Sequence, residues 1–142
     1  MDLEEAILTL KGARFSLHAI PDPDPKSFGN WILIGTRGEH LAVRVTNDRD
    51  DILLDLMPRE RFDAGPEESD WYNWDVVARA LGIDMSTEAD GLRSFVSHFL
   101  MIDEAFSPQK WQKTAAMLTA VEADKRRRFM EGNKERRVPA HS

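Results

Sequence analysis

The sequence predicts an α+β domain with an N-terminal helix, a four-stranded antiparallel meander and three C-terminal helices. Segments between residues 14 and 56 alternate apolar and polar side chains with a period of two, as half-buried strands do. Residues 2–12 and 70–125 instead repeat apolar side chains at intervals of three and four, as amphipathic helices do. Because short turns rather than helices connect the strands, they are expected to pair as antiparallel neighbours.

The N-terminal helix is predicted to begin after Asp2, with Glu5 in the position that completes a capping box, and to end at Gly12. Its inward stripe is Leu3, Ile7 and Leu10. The following ARFSLHAI alternates as a half-buried strand whose inward residues are Phe15, Leu17 and Ala19. PDPDPK at residues 21–26 has proline at every second position, which excludes a sheet interior and favours an extended loop.

Three further strands complete the predicted meander. WILIGT is a short apolar strand, and LAVRVT and DILLDLM flank a turn formed by NDRD at residues 47–50. Asp48 and Asp50 are expected to shape that turn, because aspartate tolerates turn conformations and bonds its own backbone. The inward residues of this hairpin are predicted to be Leu41, Val43, Val45, Ile52, Leu54 and Leu56. Arg44 and Asp55 then face outwards, where an exposed cross-strand ion pair is expected.

A polar loop, PRERFDAGPEESD, is predicted to precede the three C-terminal helices. The first is expected from Asp70 to Gly82, with an inward stripe of Trp71, Trp74, Val77, Ala78 and Leu81. Thr87 and Asp90 resemble the capping box of a second helix. The inward stripe of that helix is Leu92, Phe95, Val96, Phe99 and Ile102.

The third C-terminal helix is predicted to begin at Ser107 and Pro108, in the favoured order of cap and then proline. Its inward residues are Trp111, Ala115, Leu118 and Val121, and it is expected to fray beyond Lys125. Residues 1–131 are predicted to form a single domain, and residues 132–142 a basic, flexible tail.

The net charge of −6 is divided unevenly along the chain. Residues 1–106 carry 10 Lys/Arg and 21 Asp/Glu, whereas residues 107–142 carry 9 and 4. An acidic body repels nucleic acid and anionic membranes and attracts basic proteins, although solubility alone is also a sufficient reason for it. No apolar run is long enough to span a bilayer, and the acidic start MDLEE is unlike a signal peptide, so a cytoplasmic protein is expected.

The sequence predicts no catalytic, metal or cofactor site. A calcium loop starting at Asp48 would need glycine at its sixth position and glutamate at its twelfth, but the chain has Leu53 and Arg59 there. The chain has no cysteine, its four histidines have no metal-binding spacing, and no glycine-rich phosphate loop is present. PDPDPK lacks the strand-borne acid and lysine of the nuclease pattern that it superficially resembles.

Acidic side chains beside aromatic ones indicate a surface for a basic partner, because aromatics contribute binding energy and charges steer the encounter. EESDWYNWD at residues 67–75 places three acids next to Tyr72, which falls off the predicted helical stripe and is expected to be exposed. The predicted contact residues are Asp48, Asp50, Asp51, Glu67, Glu68, Asp70 and Tyr72. The basic segment KRRRFMEGNKERR suits a solvated helix end, with nucleic-acid contact as the second interpretation.

The run LAVRVTNDRDDILLDLMP, followed by an acidic loop and by DWYNWDVVARALG, resembles small bacterial immunity proteins of polymorphic toxin and contact-dependent growth inhibition systems. The resemblance covers residues 31–83: a strand hairpin with a charged turn, then an aromatic helix ending in Leu-Gly. It implies a cytoplasmic antidote that forms a heterodimer with a cognate toxin domain and blocks its active site. Many such toxins are basic enzymes acting on nucleic acid, and an acidic antidote would mimic the negative charge of the nucleic acid.

Three functions therefore stand at the level of the sequence. The first is an immunity protein, with no enzymatic activity, no membrane contact and no direct nucleic-acid contact; homo-oligomerisation is left open. The second is an acidic secretion or effector chaperone, a class that exposes an apolar groove and dimerises. The third is a small enzyme or nucleotide-binding protein, which requires a concave polar pocket.

Overall fold

The computed structural model describes residues 1–19, 30–49, 51–85 and 90–136, and these residues confirm the α+β fold that begins with a helix. The predicted loop at residues 21–26 and the cap at Thr87 lie outside the described residues. The helices described are α1 (Leu3–Gly12), α2 (Arg59–Asp63), α3 (Trp74–Leu81), α4 (Gly91–Ser97), α5 (Phe99–Ala105) and α6 (Trp111–Arg136). The strands are β1 (Ser16–Ala19), β2 (Trp31–Arg37), β3 (Leu41–Asp48), β4 (Asp51–Pro58) and β5 (Tyr72–Asn73).

The five described strands form one antiparallel sheet in chain order, β1-β2-β3-β4-β5. The predicted four-stranded meander is thus correct in its order but lacks β5. This last strand is only two residues long and pairs Tyr72 with Leu56 and Asn73 with Asp55. Consequently, no described strand pairs with residues 51–54 of β4 on the side away from β3.

Helix α1 forms where the capping pattern predicts it. The Asp2 side chain accepts a hydrogen bond of 2.8 Å from the backbone N–H of Glu5, which satisfies one of the free donors of the first turn. Ala6 and Leu10 of this helix are fully buried, and Leu3 and Ile7 pack at the edge of the core. The helix therefore uses its predicted apolar stripe to cover the sheet.

One hydrophobic core lies between the inner face of the sheet and the helices. The sheet contributes alternate residues of each strand, and Phe95 of α4 packs its ring against those of Phe15, Trp74 and Phe99 at centroid distances of 5.7, 5.9 and 6.2 Å. The predicted inward residues of the hairpin all belong to this core or pack against it. The period-two pattern thus assigns the faces of β3 and β4 correctly.

The outer face of the sheet is covered over only part of its length. A segment formed by residues 59–71, which we call the strap, contains α2, a 3-10 turn at Glu68–Asp70 and Trp71. Under it, Thr36, Ala42 and Met57 form one buried row across three strands. The prediction of a plain polar loop for this region is therefore wrong.

The first predicted C-terminal helix starts later than expected. Helix α3 begins at Trp74, because the Asn73 side chain caps it by accepting a 3.1 Å hydrogen bond from the N–H of Asp75. Trp71 consequently lies outside the helix, in the strap. Gly82 ends the helix in the left-handed conformation at φ 72°, as predicted.

The two remaining predicted helices also differ in their bounds. The single helix expected after Asp90 is divided into α4 and α5 at His98, whose ring donates a 2.8 Å hydrogen bond to the carbonyl of Ser94. Helix α6 begins at Trp111, because residues 107–110 form a turn. It continues to Arg136, so the expected fraying after Lys125 is wrong. Within the described part of the chain, no helix combines the length and apolarity needed to cross a membrane.

Candidate protein-binding surface

The structure separates the predicted contact residues into two groups. Asp48 and Asp51 lie at the end of the β3–β4 hairpin, whereas Glu67, Glu68 and Asp70 belong to the strap. Tyr72, the remaining described member, starts β5 on the inner face of the sheet, and Asp50 lies outside the described residues. These residues therefore do not form one continuous acidic surface.

The strap acids are engaged within the protein. Arg44 stands directly opposite Asp55 in the β3–β4 ladder, and Nη2 of Arg44 lies 3.1 Å from Oδ2 of Asp55. The same guanidinium donates to both carboxylate oxygens of Glu68, at 2.7 and 2.8 Å, and lies over the ring of Trp71. The Arg44 and Asp55 side chains are each only 15% exposed, so the expected exposed ion pair is instead a largely buried one.

The pKa values of these carboxyl groups follow from their partners. The hydrogen bonds and positive charge of Arg44 hold the pKa of Glu68 below its usual value. The hydrogen bond from the backbone N–H of Glu67, followed by the pairing with Arg61, lowers the pKa of Asp70. Glu68 and Asp70 are therefore already paired with arginines of this protein, and their contact with a partner stays a prediction.

Tyr72 is half-buried rather than exposed. Its ring packs against Trp111 at a centroid distance of 6.0 Å in a T-shaped arrangement. It shares the inner face of the sheet with Leu56, its cross-strand partner. The expectation that Tyr72 is exposed was wrong because it assumed that the residue lies in a helix. Burial, followed by the negative charges of Glu122 and Asp70, raises the pKa of its phenol.

We expect the phenol of Tyr72 to titrate above its ordinary pKa of about 10 in the folded protein and to return to that value on unfolding. The folded state then binds the phenolic proton more tightly than the unfolded state, so stability falls as the pH rises above about 10. Tyr72 is the one tyrosine of the chain, so ultraviolet absorbance of the phenolate reports this residue alone.

Two variants test the cause of that shift. Glu122→Gln should move the Tyr72 midpoint to lower pH, because it removes a negative charge that opposes ionisation. Glu4→Gln, a change at an exposed residue of α1, should leave it in place. A folded-state midpoint equal to that of the unfolded chain would show that Tyr72 is solvated.

The end of the hairpin carries acids that are exposed. Asp48 and Asp51 are exposed cross-strand partners, and neither makes an ion pair with any described residue. Arg49, between them, adopts the left-handed conformation at φ 52°, and its N–H donates to the side chain of Asn30. Asp48 is therefore the last strand residue rather than a turn residue, which corrects the sequence-based expectation.

Next to these acids, the outer face of the sheet is apolar and open. Ile32, Thr46 and Leu53 form one row across β2, β3 and β4, and Ile32 and Leu53 are 49% and 45% exposed. Neighbouring strands lie about 4.8 Å apart, so the two aliphatic side chains are about 10 Å apart with the smaller Thr46 between them. This makes a shallow trough, and we call Ile32, Thr46, Asp48, Asp51 and Leu53 together the tip surface.

The signal for this trough was present in the sequence. In DILLDLM the alternation that turns Ile52, Leu54 and Leu56 inwards also turns Leu53 outwards. An apolar side chain at an outward position is informative when a second one is its neighbour in space. That second residue, Ile32, could be matched to Leu53 only once the register across β3 was known.

A groove of about 410 Å³ adjoins the unpaired part of β4. It is lined by Ile52–Leu54, by Trp74 and Asp75 at the start of α3, and by residues at the starts of α1 and α4. Two buried atoms here have no hydrogen-bond partner among the described residues: Nε1 of Trp74 and Oδ1 of Asp75. The tip surface thus ends at an edge of β4 where no described strand pairs with residues 51–54.

A second cleft, of about 420 Å³, opens near the opposite end of the hairpin. Its aromatic lining residues are Tyr72, Phe106 and Trp111. His40 also lines it, with Nδ1 3.3 Å from Oδ2 of Asp103, while Arg59 and Arg61 are paired with Asp63 and Asp70. A histidine oriented by a carboxylate can act as a base, but charges of both signs line this cleft and define no substrate class.

Among the described residues, no group of three or more His, Asp or Glu side chains is placed to hold a metal ion. Comparisons with models of protein families, with curated proteins and with solved structures found no match. The tip surface is therefore defined by its own exposure, shape and charge.

Proposed function

We propose that this protein is an immunity protein, which binds a cognate, basic toxin domain and neutralises it by blocking its active site. The single observation that carries the proposal is the tip surface: an exposed apolar row beside two carboxylates that make no ion pair with any described residue. Apolar side chains exposed as neighbours mark protein-binding sites more often than isolated ones do. The resemblance of residues 31–83 to immunity proteins supports the same class.

The two parts of the tip surface have separate roles in this proposal. Asp48 and Asp51 attract a basic surface over a distance. The net charge of −11 on residues 1–106, from 10 Lys/Arg and 21 Asp/Glu, strengthens this electrostatic attraction. Ile32 and Leu53 are desolvated on contact and slow dissociation, as buried anchors of an interface do. The contact set proposed from the sequence is thereby revised: Ile32, Thr46 and Leu53 join Asp48 and Asp51, while the strap acids hold the fold.

Co-expression with the protein encoded by the adjacent gene tests this function. If that protein is the cognate toxin, it should arrest growth when produced alone, and this chain should restore growth and co-purify with it at low salt. Leu53→Ser should weaken the rescue, whereas Leu100→Ser, at a residue that is 75% exposed on α5, should not. A neighbour that is harmless and shows no binding at low salt would refute the proposal.

The exposed trough also favours a second candidate, an effector chaperone, because that class binds apolar segments of partly unfolded proteins. The two functions differ in what they recognise. A chaperone would bind an unfolded export segment of the adjacent protein and lose affinity once that segment folds, whereas an immunity protein binds the folded toxin domain. Titration of the folded and the denatured partner into this chain distinguishes them.

A further inference from the structure

The C-terminal part of α6 extends beyond the rest of the protein. The last contacts that tie the helix to α3 are those of Asp124 with Arg79 and of Lys125 with Asp75, the latter at 2.7 Å. None of the described hydrogen bonds, ion pairs or ring contacts joins residues 126–132 to the sheet or to another helix. Residues 126–136, which we call the overhang, span about 16 Å at 1.5 Å per residue.

The overhang carries an exposed apolar side chain, Phe129, with an arginine on either side of it. At 100° per residue, Phe129 lies on the same side of the helix as the buried Leu118, yet it is 67% exposed. Met130 beside it is 65% exposed. Arg126 and Arg128 flank the Phe129 ring position on either side, and Gly132 one turn later leaves room for close approach, since nothing lies within 4 Å of a Cβ placed there.

The charges and apolar side chains of the overhang determine which kind of surface it can bind. Arg126, Arg127 and Arg128 point in three directions around the helix, so they do not form the single basic face that a nucleic-acid backbone would need. Two overhangs would repel each other through these arginines. A fitting surface is apolar, has room for one aromatic side chain and carries acids at one end, and the tip surface has those properties.

We propose that the overhang of one copy of this protein docks on the tip surface of a second copy. Phe129 lies over Thr46, between Ile32 and Leu53, and Arg126, about 60° from Phe129 around the helix, approaches Asp48 and Asp51. Ile32 and Leu53 are about 10 Å apart, so the Phe129 ring fits between them while the helix backbone lies above the row. This inference involves only copies of this chain, so it does not depend on the proposed toxin partner.

Because the two docking surfaces differ, the contact is heterologous, and it closes into a reciprocal pair or continues as a chain of copies. It also uses the tip surface that we propose for the toxin. Self-association and toxin binding should therefore exclude each other at that surface.

Light scattering of the full chain tests the proposal. We expect the mass to exceed the 16.2 kDa of one copy at low salt and to fall to it at about 1 M salt, where charges are screened within about 3 Å. Phe129→Ser and Asp48→Lys/Asp51→Lys should each be monomeric at low salt. Leu8→Ser, at a residue that is 62% exposed on α1, should assemble as the wild type does.

Mixing the two monomeric variants gives the decisive result. Phe129→Ser keeps an intact tip surface and Asp48→Lys/Asp51→Lys keeps an intact overhang, so the mixture should form a two-chain complex although neither variant assembles alone. Thermal unfolding followed by circular dichroism verifies that both variants are folded. A wild type that is monomeric at low salt and high concentration, or a mixture that stays monomeric, would overturn the proposal without bearing on toxin binding.

Discussion

Replacing Phe95 by alanine should lower the free energy of unfolding by about 3–5 kcal/mol, the largest effect expected of a single substitution in this protein. Phe95 is fully buried, and its ring contacts those of Phe15, Trp74 and Phe99. Alanine would remove these contacts and leave a cavity that elements from both halves of the chain surround. Urea unfolding monitored by tryptophan fluorescence measures the loss.

The control is Leu100→Ala, which truncates an apolar side chain that is 75% exposed on α5. We expect this control to change the unfolding free energy by less than about 0.5 kcal/mol, as surface substitutions usually do. If the two alanine variants unfold at the same urea concentration, Phe95 does not stand at the centre of the core.

Replacing Arg44 by methionine should cost about 2–4 kcal/mol. The substitution leaves the carboxylate of Asp55, whose side chain is 15% exposed, without a cation on the outer face of the sheet. It also releases Glu68 and removes the guanidinium from the ring of Trp71, which lies 4.7 Å away. The strap would keep the packing of Phe62 against His18 and the hydrogen bonds from Arg59 to the carbonyls of Gly38 and His40.

The pH dependence of the Arg44→Met variant has a definite sign. Burial already raises the pKa of Asp55, and Arg44 partly offsets that effect, so its removal should raise the pKa further. The folded variant then binds the Asp55 proton more tightly than the unfolded chain does. Stability is therefore lost as the pH rises from the pKa of Asp55 in the unfolded chain to its higher pKa in the folded variant. The deficit relative to wild type should be largest at neutral pH and should shrink on acidification.

Two further variants separate the ion pair from a general effect of losing an arginine. Arg93→Met, at an exposed site where Nε lies 3.5 Å from Oδ2 of Asp90, should cost less than about 1 kcal/mol. Arg44→Met/Asp55→Leu should recover much of the loss, because no buried charge is then left unpaired. An Arg44→Met variant that is as stable as Arg93→Met would contradict a structural role for this pair.

The hairpin shows what could be predicted from the sequence. Alternation alone assigned Val43, Val45, Leu54 and Leu56 to the core, because a period of two fixes the face of every residue in a strand. The same alternation placed Arg44 and Asp55 outwards. It could not show that the strap covers Arg44 and Asp55, because the periodicity of a segment does not show which part of the sheet that segment contacts.

The contact residues of the strap show why the rest could not be predicted. Glu68 pairs with Arg44 across 24 positions of sequence, and nothing around Glu68 distinguishes it from a free surface acid such as Asp51. Tyr72 lies in a two-residue strand, which is too short for a periodic pattern to reveal. The late start of α3 did have a local signal, since Asn73 is as good a cap as Asp70 and Asp75 follows it in the first turn.

The rate at which this protein associates with the proposed toxin partner tests most directly the proposal that the tip surface receives a basic protein. We expect Asp48→Lys/Asp51→Lys to associate about tenfold more slowly than wild type at low salt, and the difference to vanish at about 1 M salt. Glu4→Lys/Glu39→Lys makes the same change in net charge at exposed residues elsewhere, and it should slow association much less. Equal rates for the two variants would contradict the claim, because net charge alone would then account for the steering.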